Sequence, residues 1–413
     1  MKKRLLLVLP VVAFLAGCGE TDPMVEVQKS LPSDVETVDP AKAEEGEIVE
    51  YIMDGVNGVF NIFEDKAVYN VAIDLSSSVS GKENGQAYSS NAFIKGNLSG
   101  GYEVVDHNGV NYGSVFFQAT NFTVSVDLNL PEALKEEMPI PEHMAINNAN
   151  FYACIVETQV GDKDVAFAFF DLSDHSIQDY VKTTLLANEM PEAQVDLMLD
   201  AILGEKEEGE QYRPGKVYMN LSYILETLDE HFVALGKESI GQEAIAHPVL
   251  YFLEMAQDEA TVYQQQYANI AMFVLASLNT TVGIKEEAVE PSEGAMVGLD
   301  KVSLVLNVSS AQVAEMMGVA PESIPVNGVA GLLISVGMEN GEEKDYALEE
   351  LSLSVNLTYS EPDMNVALRG SVNLTASYNQ EAETVYPSSE ELTAYVDITD
   401  TVLDIIGNII GLA

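Results

Sequence analysis

The segment LSLSVNLTYSEPDMNVALRGSVNLTASY, residues 351–378, decides the fold class. Leu351, Leu353 and Val355 alternate with polar residues, and the alternation resumes after the turn at 361–363. A period of two places successive side chains on opposite faces of a strand. The segment therefore predicts two antiparallel strands in a sheet with one buried face and one solvated face.

The same alternation recurs elsewhere in the chain. Apolar residues alternate over 71–75, 122–130 and 302–308. Asn108-Gly109 separates two further runs, and this dipeptide is the preferred centre of a two-residue hairpin turn. These signals indicate many antiparallel strands along the whole chain.

Apolar residues at helical spacing lie between and after the predicted strands. They predict helices at 48–63, 195–203, 248–278 and 402–410. In the last of these, the apolar stripe consists of Val402, Ile405, Ile406, Ile409 and Ile410. We therefore expect an α+β fold in which antiparallel curved sheets are backed by amphipathic helices.

An internal repeat suggests how the body of the chain is organised. Seven residues that begin with Val124-Ser125 match residues that begin with Val302-Ser303 at a constant offset of 178. Asn147 and Asn327 pair at an offset of 180. Repetition at a constant offset is the sequence signature of duplicated structural units. The alternative is coincidence, because alternating strands have similar compositions and can match by chance.

The repeat and the composition give a division of the chain. Residues 19–47 are acidic and contain three prolines, a composition that favours an extended, solvated linker. The expected division is 1–17 signal peptide, 18–46 acidic tether, 47–235 first lobe and 236–413 second, related lobe.

The charge of the chain excludes two classes of partner. The 413 residues contain 66 Asp and Glu against 19 Lys and Arg, which gives a formal net charge of −47. Such an acidic chain does not neutralise phosphates, so nucleic acid is excluded as a partner. Polybasic attraction to anionic lipid is excluded for the same reason.

The N-terminus carries an export signal. Lys2-Lys3-Arg4 precede a ten-residue, mostly apolar stretch, which is too short to cross a membrane, and Leu15-Ala16-Gly17-Cys18 follows. This tetrapeptide resembles the lipobox of bacterial lipoproteins. The alternative is an ordinary signal peptide that happens to contain a cysteine.

The resemblance implies that Cys18 becomes the lipidated N-terminus of the mature protein. Lipoproteins of this class carry two or three acyl chains such as palmitate, which is enough for stable membrane anchoring. Gly19 follows the cysteine, so the resemblance implies the outer membrane in a cell with two membranes. In a cell with one membrane, it implies the outer face of the plasma membrane.

Motifs for catalysis are missing from the sequence. It contains no nucleophile elbow, P-loop, dinucleotide fingerprint or zinc-protease motif, and its five histidines are scattered. Cys154, the only other cysteine, lies in the apolar run FYACIV. We expect Cys154 to be a buried small hydrophobe and not a nucleophile, because no basic residue is nearby. We therefore expect a protein that is not an enzyme and has no cofactor.

One cluster is a weak candidate for a metal site. Asp171, Asp174, His175 and Asp179 lie where a strand passes into a helix, and His175 and Asp179 are neighbours on that helix. The alternative is that Ser173 or Asp174 caps the helix. Acidic clusters at 205–210, 286–293 and 342–345 could hold Ca²⁺ loosely, although none has the spacing of a calcium loop.

Two classes of function remain. The first is a membrane-anchored, non-enzymatic binding module of the cell envelope that takes lipid or another hydrophobic ligand. The second is a structural or adhesive surface protein without a small-molecule ligand. A divalent-ion-dependent hydrolase is a distant third.

Overall fold

The structure is a computed structural model. It describes residues 36–38, 66–83, 85–131, 143–187, 191–206, 212–256, 282–288, 299–311, 314, 318–320, 326–339, 346–378 and 382–410. The predicted signal peptide, most of the tether, the predicted helix at 48–63 and residues 257–278 of the helix predicted at 248–278 lie outside these residues.

Strands dominate the described residues. Their bounds are β1 Glu36–Val38, β2 Lys66–Glu83, β3 Gln86–His107, β4 Val110–Asn129, β5 His143–Val160, β6 Lys163–Asp171, β7 Gly204–Lys206, β8 Tyr212–Pro214, β9 Lys216–Asn220, β10 Val282–Ala288, β11 Leu299–Ser309, β12 Val326–Glu339, β13 Tyr346–Glu361, β14 Met364–Tyr378 and β15 Val396–Asp397. Several exceed 15 residues, which is long for a globular protein.

Helices are shorter and fewer in the described part of the chain. Their bounds are α1 His175–Ala187, α2 Glu192–Leu203, α3 Leu221–Ala234, α4 Gln242–Ala246, α5 Ser389–Leu392 and α6 Thr399–Ile410. Residues 248–256 are also helical. The apolar stripe predicted at 195–203 is confirmed in α2, where Val195 and Leu199 are buried. None of the helices in the described ranges is long and apolar enough to cross a membrane.

Thirteen strands form one continuous sheet in the order β1-β10-β11-β12-β13-β14-β2-β3-β4-β5-β6-β9-β15. Neighbouring strands are antiparallel except β15 and β9, which are parallel. The predicted hairpin turn is confirmed, since Asn108 and Gly109 have φ of 60° and 84° between β3 and β4. The strands predicted at 351–378 are also confirmed, as β13 and β14.

The predicted α+β fold with two related lobes is wrong. β14 pairs with β2 over fifteen residue pairs, from Met364 with Gly81 to Tyr378 with Ala67. β14 belongs to the expected second lobe and β2 to the expected first lobe, so the two expected lobes share one hydrogen-bonded pair of strands. The alternating pattern predicted the strands correctly but contained no information about which strands pair.

The register also differs between the two copies of the suspected repeat. β4 and β11 each pair with the strand before and the strand after them, as a duplication predicts. However, Val124 pairs with Ile146. If the offsets of 178 and 180 are added to these two positions, a duplication would pair Val302 with Val326. The observed partner of Val302 is Val336, ten residues further along the strand. The register therefore gives no support to superposable lobes.

Candidate functional site

The strands β13, β14 and β2 have one polar and one apolar face. Directly paired residues of an antiparallel ladder lie on the same face of the sheet. The polar face is the one that carries Ser352, Asn373 and Ala72, which are paired in a row. The members of the polar face on these strands are Ser352, Ser354, Asn356, Thr358, Arg369, Ser371, Asn373, Thr375, Asn70, Asp74, Ser76 and Ser78.

The opposite, apolar face continues across β13, β14, β2, β3, β4 and β5. Its members include Leu351, Leu353, Val355, Leu357, Leu368, Val372, Leu374, Val71, Ile73, Leu75, Leu98, Phe117, Val124, Val126, Ile146, Phe151 and Ile155. The rings of Phe117 and Phe151 contact each other on this face, with centroids 5.9 Å apart. Phe117 is nevertheless 42% exposed and Leu353 is 39% exposed.

Burial on β13 contradicts the simple expectation that the apolar side is the buried side. Ser354 is 0% exposed on the polar face, whereas on the apolar face Val355 is buried and Leu353 remains more than a third exposed. Exposed apolar area of this kind raises the free energy of the protein in water by roughly 25 cal/mol per Å². The apolar face is therefore suited to contact an apolar ligand.

A groove lies on the polar face where β14, β2, β3 and β4 are adjacent. Its volume is about 430 Å³. The polar residues that line it are Asn70, Asn97, Ser99, Gln118, Thr120, Asn373 and Thr375. Inside it, Ser99 Oγ donates a hydrogen bond to Asn70 Oδ1 at 2.7 Å. The groove thus presents neutral amides and hydroxyls.

The polar face becomes aromatic towards β6 and β9. Phe116, Cys154, Phe169 and Tyr218 form one paired row across four strands. Residues 382–398, which we call the C-terminal strap, cover this row. The ring of Tyr386 packs edge-on against Phe116, and the ring of Tyr395 packs edge-on against Phe169, with centroids 5.9 and 5.5 Å apart. This cluster forms an apolar core beside the polar groove.

The prediction that Cys154 is a buried hydrophobe is confirmed. Its side chain is buried in the aromatic cluster, and burial raises the pKa of its thiol to about 11, although a hydrogen bond with Tyr152 acts in the opposite direction. Tyr152 donates a hydrogen bond from its hydroxyl to the carbonyl of Val385 in the strap at 2.6 Å. A protonated, buried thiol is not a nucleophile.

A buried carboxylate fastens the segment after α4 to the sheet. Glu157 accepts hydrogen bonds from the backbone N–H groups of Val249, Leu250 and Gly113 at 2.6, 3.1 and 2.7 Å. His247 Nδ1 lies 3.4 Å from Glu157 Oε2, and Glu157 has no exposed side-chain area. The sequence analysis missed Glu157, although a single acid in the strand FYACIVETQV indicates a buried acceptor with dedicated donors.

The four candidate metal ligands are engaged in three different interactions. Asp171 lies 3.1 Å from Lys216 Nζ, and His175 pairs with Asp179 at 3.3 Å. Asp174 accepts a hydrogen bond from the N–H of Ser176 and so caps α1, as the alternative interpretation predicted. The described residues contain no group of three or more acidic, histidine or cysteine side chains that could hold one ion. Cys18 lies outside the described residues.

Comparisons with known proteins give distant matches only. Neither a family model nor a curated protein matches the chain. A solved structure described as lipid-protein interactions in lipovitellin is similar with a TM-score of 0.23 and 7% identity, covering 79% of this chain and 27% of that chain. The translocator domain of the autotransporter NalP from Neisseria meningitidis is similar with a TM-score of 0.13 and 6% identity, covering 81% of this chain and 94% of that chain. Neither likeness is close enough to assign a fold family.

Proposed function

We propose that the protein is a non-enzymatic binding module of the cell envelope that holds lipid or another hydrophobic ligand on the apolar face of its sheet. The observation that carries this proposal is the exposure of two large side chains on that face, Phe117 and Leu353. Exposed apolar side chains on a face of this composition are suited to an interaction site. A long apolar ligand would remove them from water.

The dimensions of the apolar face suit acyl chains. The six strands from β13 to β5 span five inter-strand spacings, which is about 24 Å at about 4.8 Å each. Each strand is long, and the 16 residues of β13 extend about 50 Å at about 3.3 Å per residue. An acyl chain that fills one leaflet of a bilayer is about 15 Å long. Several chains therefore fit side by side on this face.

Lipidation of Cys18 would place the sheet close to the membrane. β1 begins at Glu36, and the 18 residues from Cys18 to Glu36 reach at most about 65 Å when fully extended. β1 is the edge strand and pairs with β10. The proposed anchor would therefore lie within about 65 Å of the β1 edge. The proposed location is the outer membrane, or the outer face of the plasma membrane where there is one membrane.

Fatty-acid titration tests the ligand. The Cys18→Ala variant has no acceptor thiol for acyl chains of its own, and in delipidated form it should bind the fluorescent fatty acid cis-parinaric acid with saturation. Adding Phe117→Asn or Leu353→Asn should weaken binding about tenfold, because each removes roughly 1.5 kcal/mol of apolar contact. Val105→Asn is the matched control, since Val105 is 51% exposed near the turn between β3 and β4.

Two outcomes would count against the proposal. A titration without saturation favours a structural or adhesive surface protein, which is the alternative function. Equal weakening by Val105→Asn and by the two face variants places the ligand elsewhere. Anchoring is tested separately by metabolic labelling with a fatty acid, where the wild type should be labelled and Cys18→Ala should not.

A further inference from the structure

The groove on the polar face has a chemistry that the proposed lipid ligand does not use. Its volume of about 430 Å³ is within the range of small-molecule sites, about 300–1,000 Å³. Seven polar residues line it, namely three asparagines, one glutamine, two threonines and one serine, together with Val71, Ala72 and Leu98. These side chains come from four adjacent strands, so the sheet itself holds them in place.

The lining selects against two kinds of ligand. An acyl chain would cover amides and hydroxyls without satisfying their hydrogen bonds, at a cost of roughly 1–3 kcal/mol for each buried group. An ionic ligand would find no charged side chain among the lining residues. Amide side chains instead donate and accept at once, which matches a ligand whose own groups do both, namely hydroxyls.

The carboxylate of Asp74 lies near the groove but does not line it. Asp74 follows Ala72, a lining residue, by two positions on the same face of β2. One of its oxygens, Oδ2, pairs with Lys95 Nζ at 2.5 Å. The other, Oδ1, is buried and has no hydrogen-bond partner. Oδ1 has almost no accessible surface and Asp74 does not line the groove, so a ligand in the groove does not reach this oxygen.

We propose that this groove binds a neutral polyhydroxyl ligand, namely a short segment of an uncharged glycan. The amides of Asn70, Asn97 and Asn373 and the hydroxyls of the lining contact its hydroxyl groups. The site is on the opposite side of the sheet from the proposed lipid face, and it does not depend on that proposal.

Isothermal titration of the full chain with maltotriose, cellotriose and chitotriose tests the site. At least one of these neutral trisaccharides should bind with saturation, while trigalacturonic acid, which is charged, should not. The double variant Asn97→Ala with Asn373→Ala should weaken binding at least fivefold. Asn365→Ala is the matched control, because Asn365 is an exposed polar-face residue of β14 outside the groove.

The outcomes separate this site from the lipid face. Loss of trisaccharide binding in the double variant, with unchanged cis-parinaric acid binding and an unchanged circular dichroism spectrum, supports the proposal. The proposal is overturned if no neutral trisaccharide binds, if trigalacturonic acid binds equally well, or if Asn365→Ala weakens binding as much as the double variant.

Discussion

Two regions of the same sheet are stabilised in different ways. In the central strands β13, β14 and β2, serine, asparagine and threonine side chains cover one face, and apolar side chains cover the other. In the packed end, formed by β4, β5, β6 and β9, the polar face gives way to the aromatic cluster under the C-terminal strap. The opposite face there holds Glu157 and the segment after α4.

The difference shows where the free energy of folding is concentrated. Aromatic side chains pack on one side of the packed end, and on the other side the buried Glu157 carboxylate holds the segment after α4 near Gly113. The central strands depend more on ladder hydrogen bonds and on the close approach of neighbouring backbones. We therefore expect substitutions in the packed end to cost the most stability, and substitutions on the central faces to change ligand binding with less effect on folding.

Loss of the Glu157 carboxylate should have the largest effect. Glu157→Ala leaves three backbone N–H groups without an acceptor and should lower the free energy of unfolding by about 4 kcal/mol. Urea denaturation measures this change, with the dependence of the unfolding free energy on urea concentration held the same for both proteins. Glu226→Ala is the control, because Glu226 is an exposed acid on α3. Equal stability of the two variants would show that Glu157 does not fasten the segment after α4.

Removal of a strap aromatic should rank second. Tyr395→Ala removes the ring that packs edge-on against Phe169, and we expect a loss of about 3 kcal/mol. Tyr395→Phe retains the ring and should cost less than about 1 kcal/mol. The comparison of the two by thermal denaturation separates packing from the hydroxyl. Similar losses in both variants would contradict a packing role.

Gly370 tests the close approach of backbones in the central strands. Its φ is +133°, and a Cβ at this position would lie 2.1 Å from the carbonyl oxygen of Asp74. Gly370→Ala should therefore cost about 2–3 kcal/mol. Gly161 also has a positive φ, of +65°, but a Cβ added there would meet no atom within 4 Å. Gly161→Ala therefore reports the backbone strain alone. If the two variants lose the same stability, the approach of β14 to β2 is not tight.

Sequence patterns predicted the local structure of both regions but not their arrangement. The period of two in residues 351–378 was sufficient to predict β13 and β14, because it depends on neighbouring residues only. The pairing of Leu374 with Val71 joins residues about 300 positions apart, and no local period encodes it. The exposure of Leu353 could not be predicted either, since alternation distinguishes two faces without telling which one is covered.

The candidate sites were predictable to different degrees. The helix cap at Asp174 and the buried state of Cys154 follow from residue type and immediate sequence context. The polar groove combines Asn70, Asn97 and Asn373 from three strands, and its existence depends on the long-range order of those strands. Each residue alone is an ordinary polar position of an alternating strand, so the sequence contains no separate signal for the groove.

The ion pair between Asp171 and Lys216 should have the smallest effect, which varies with pH. Burial alone would raise the pKa of Asp171, but hydrogen bonds from Ser173 and from Lys216 lower it below its ordinary value of 3.8. This carboxylate therefore stabilises the fold above the pKa that it has in the unfolded chain. The contribution disappears as the pH falls through the lower pKa of the folded state.

Denaturation between pH 7 and pH 2 tests this contribution. Asp171→Asn should be slightly less stable than the wild type at pH 7, and the gap should close as the pH falls below 3.8, because the wild-type carboxyl is then protonated. Ser173 and Lys216 remain in both proteins, so the change isolates the charge. Asp162→Asn, in the exposed turn between β5 and β6, should follow the wild type throughout. Parallel pH curves for wild type and Asp171→Asn would show that the charge of Asp171 adds nothing to the stability of the packed end, whether through Ser173 or through Lys216.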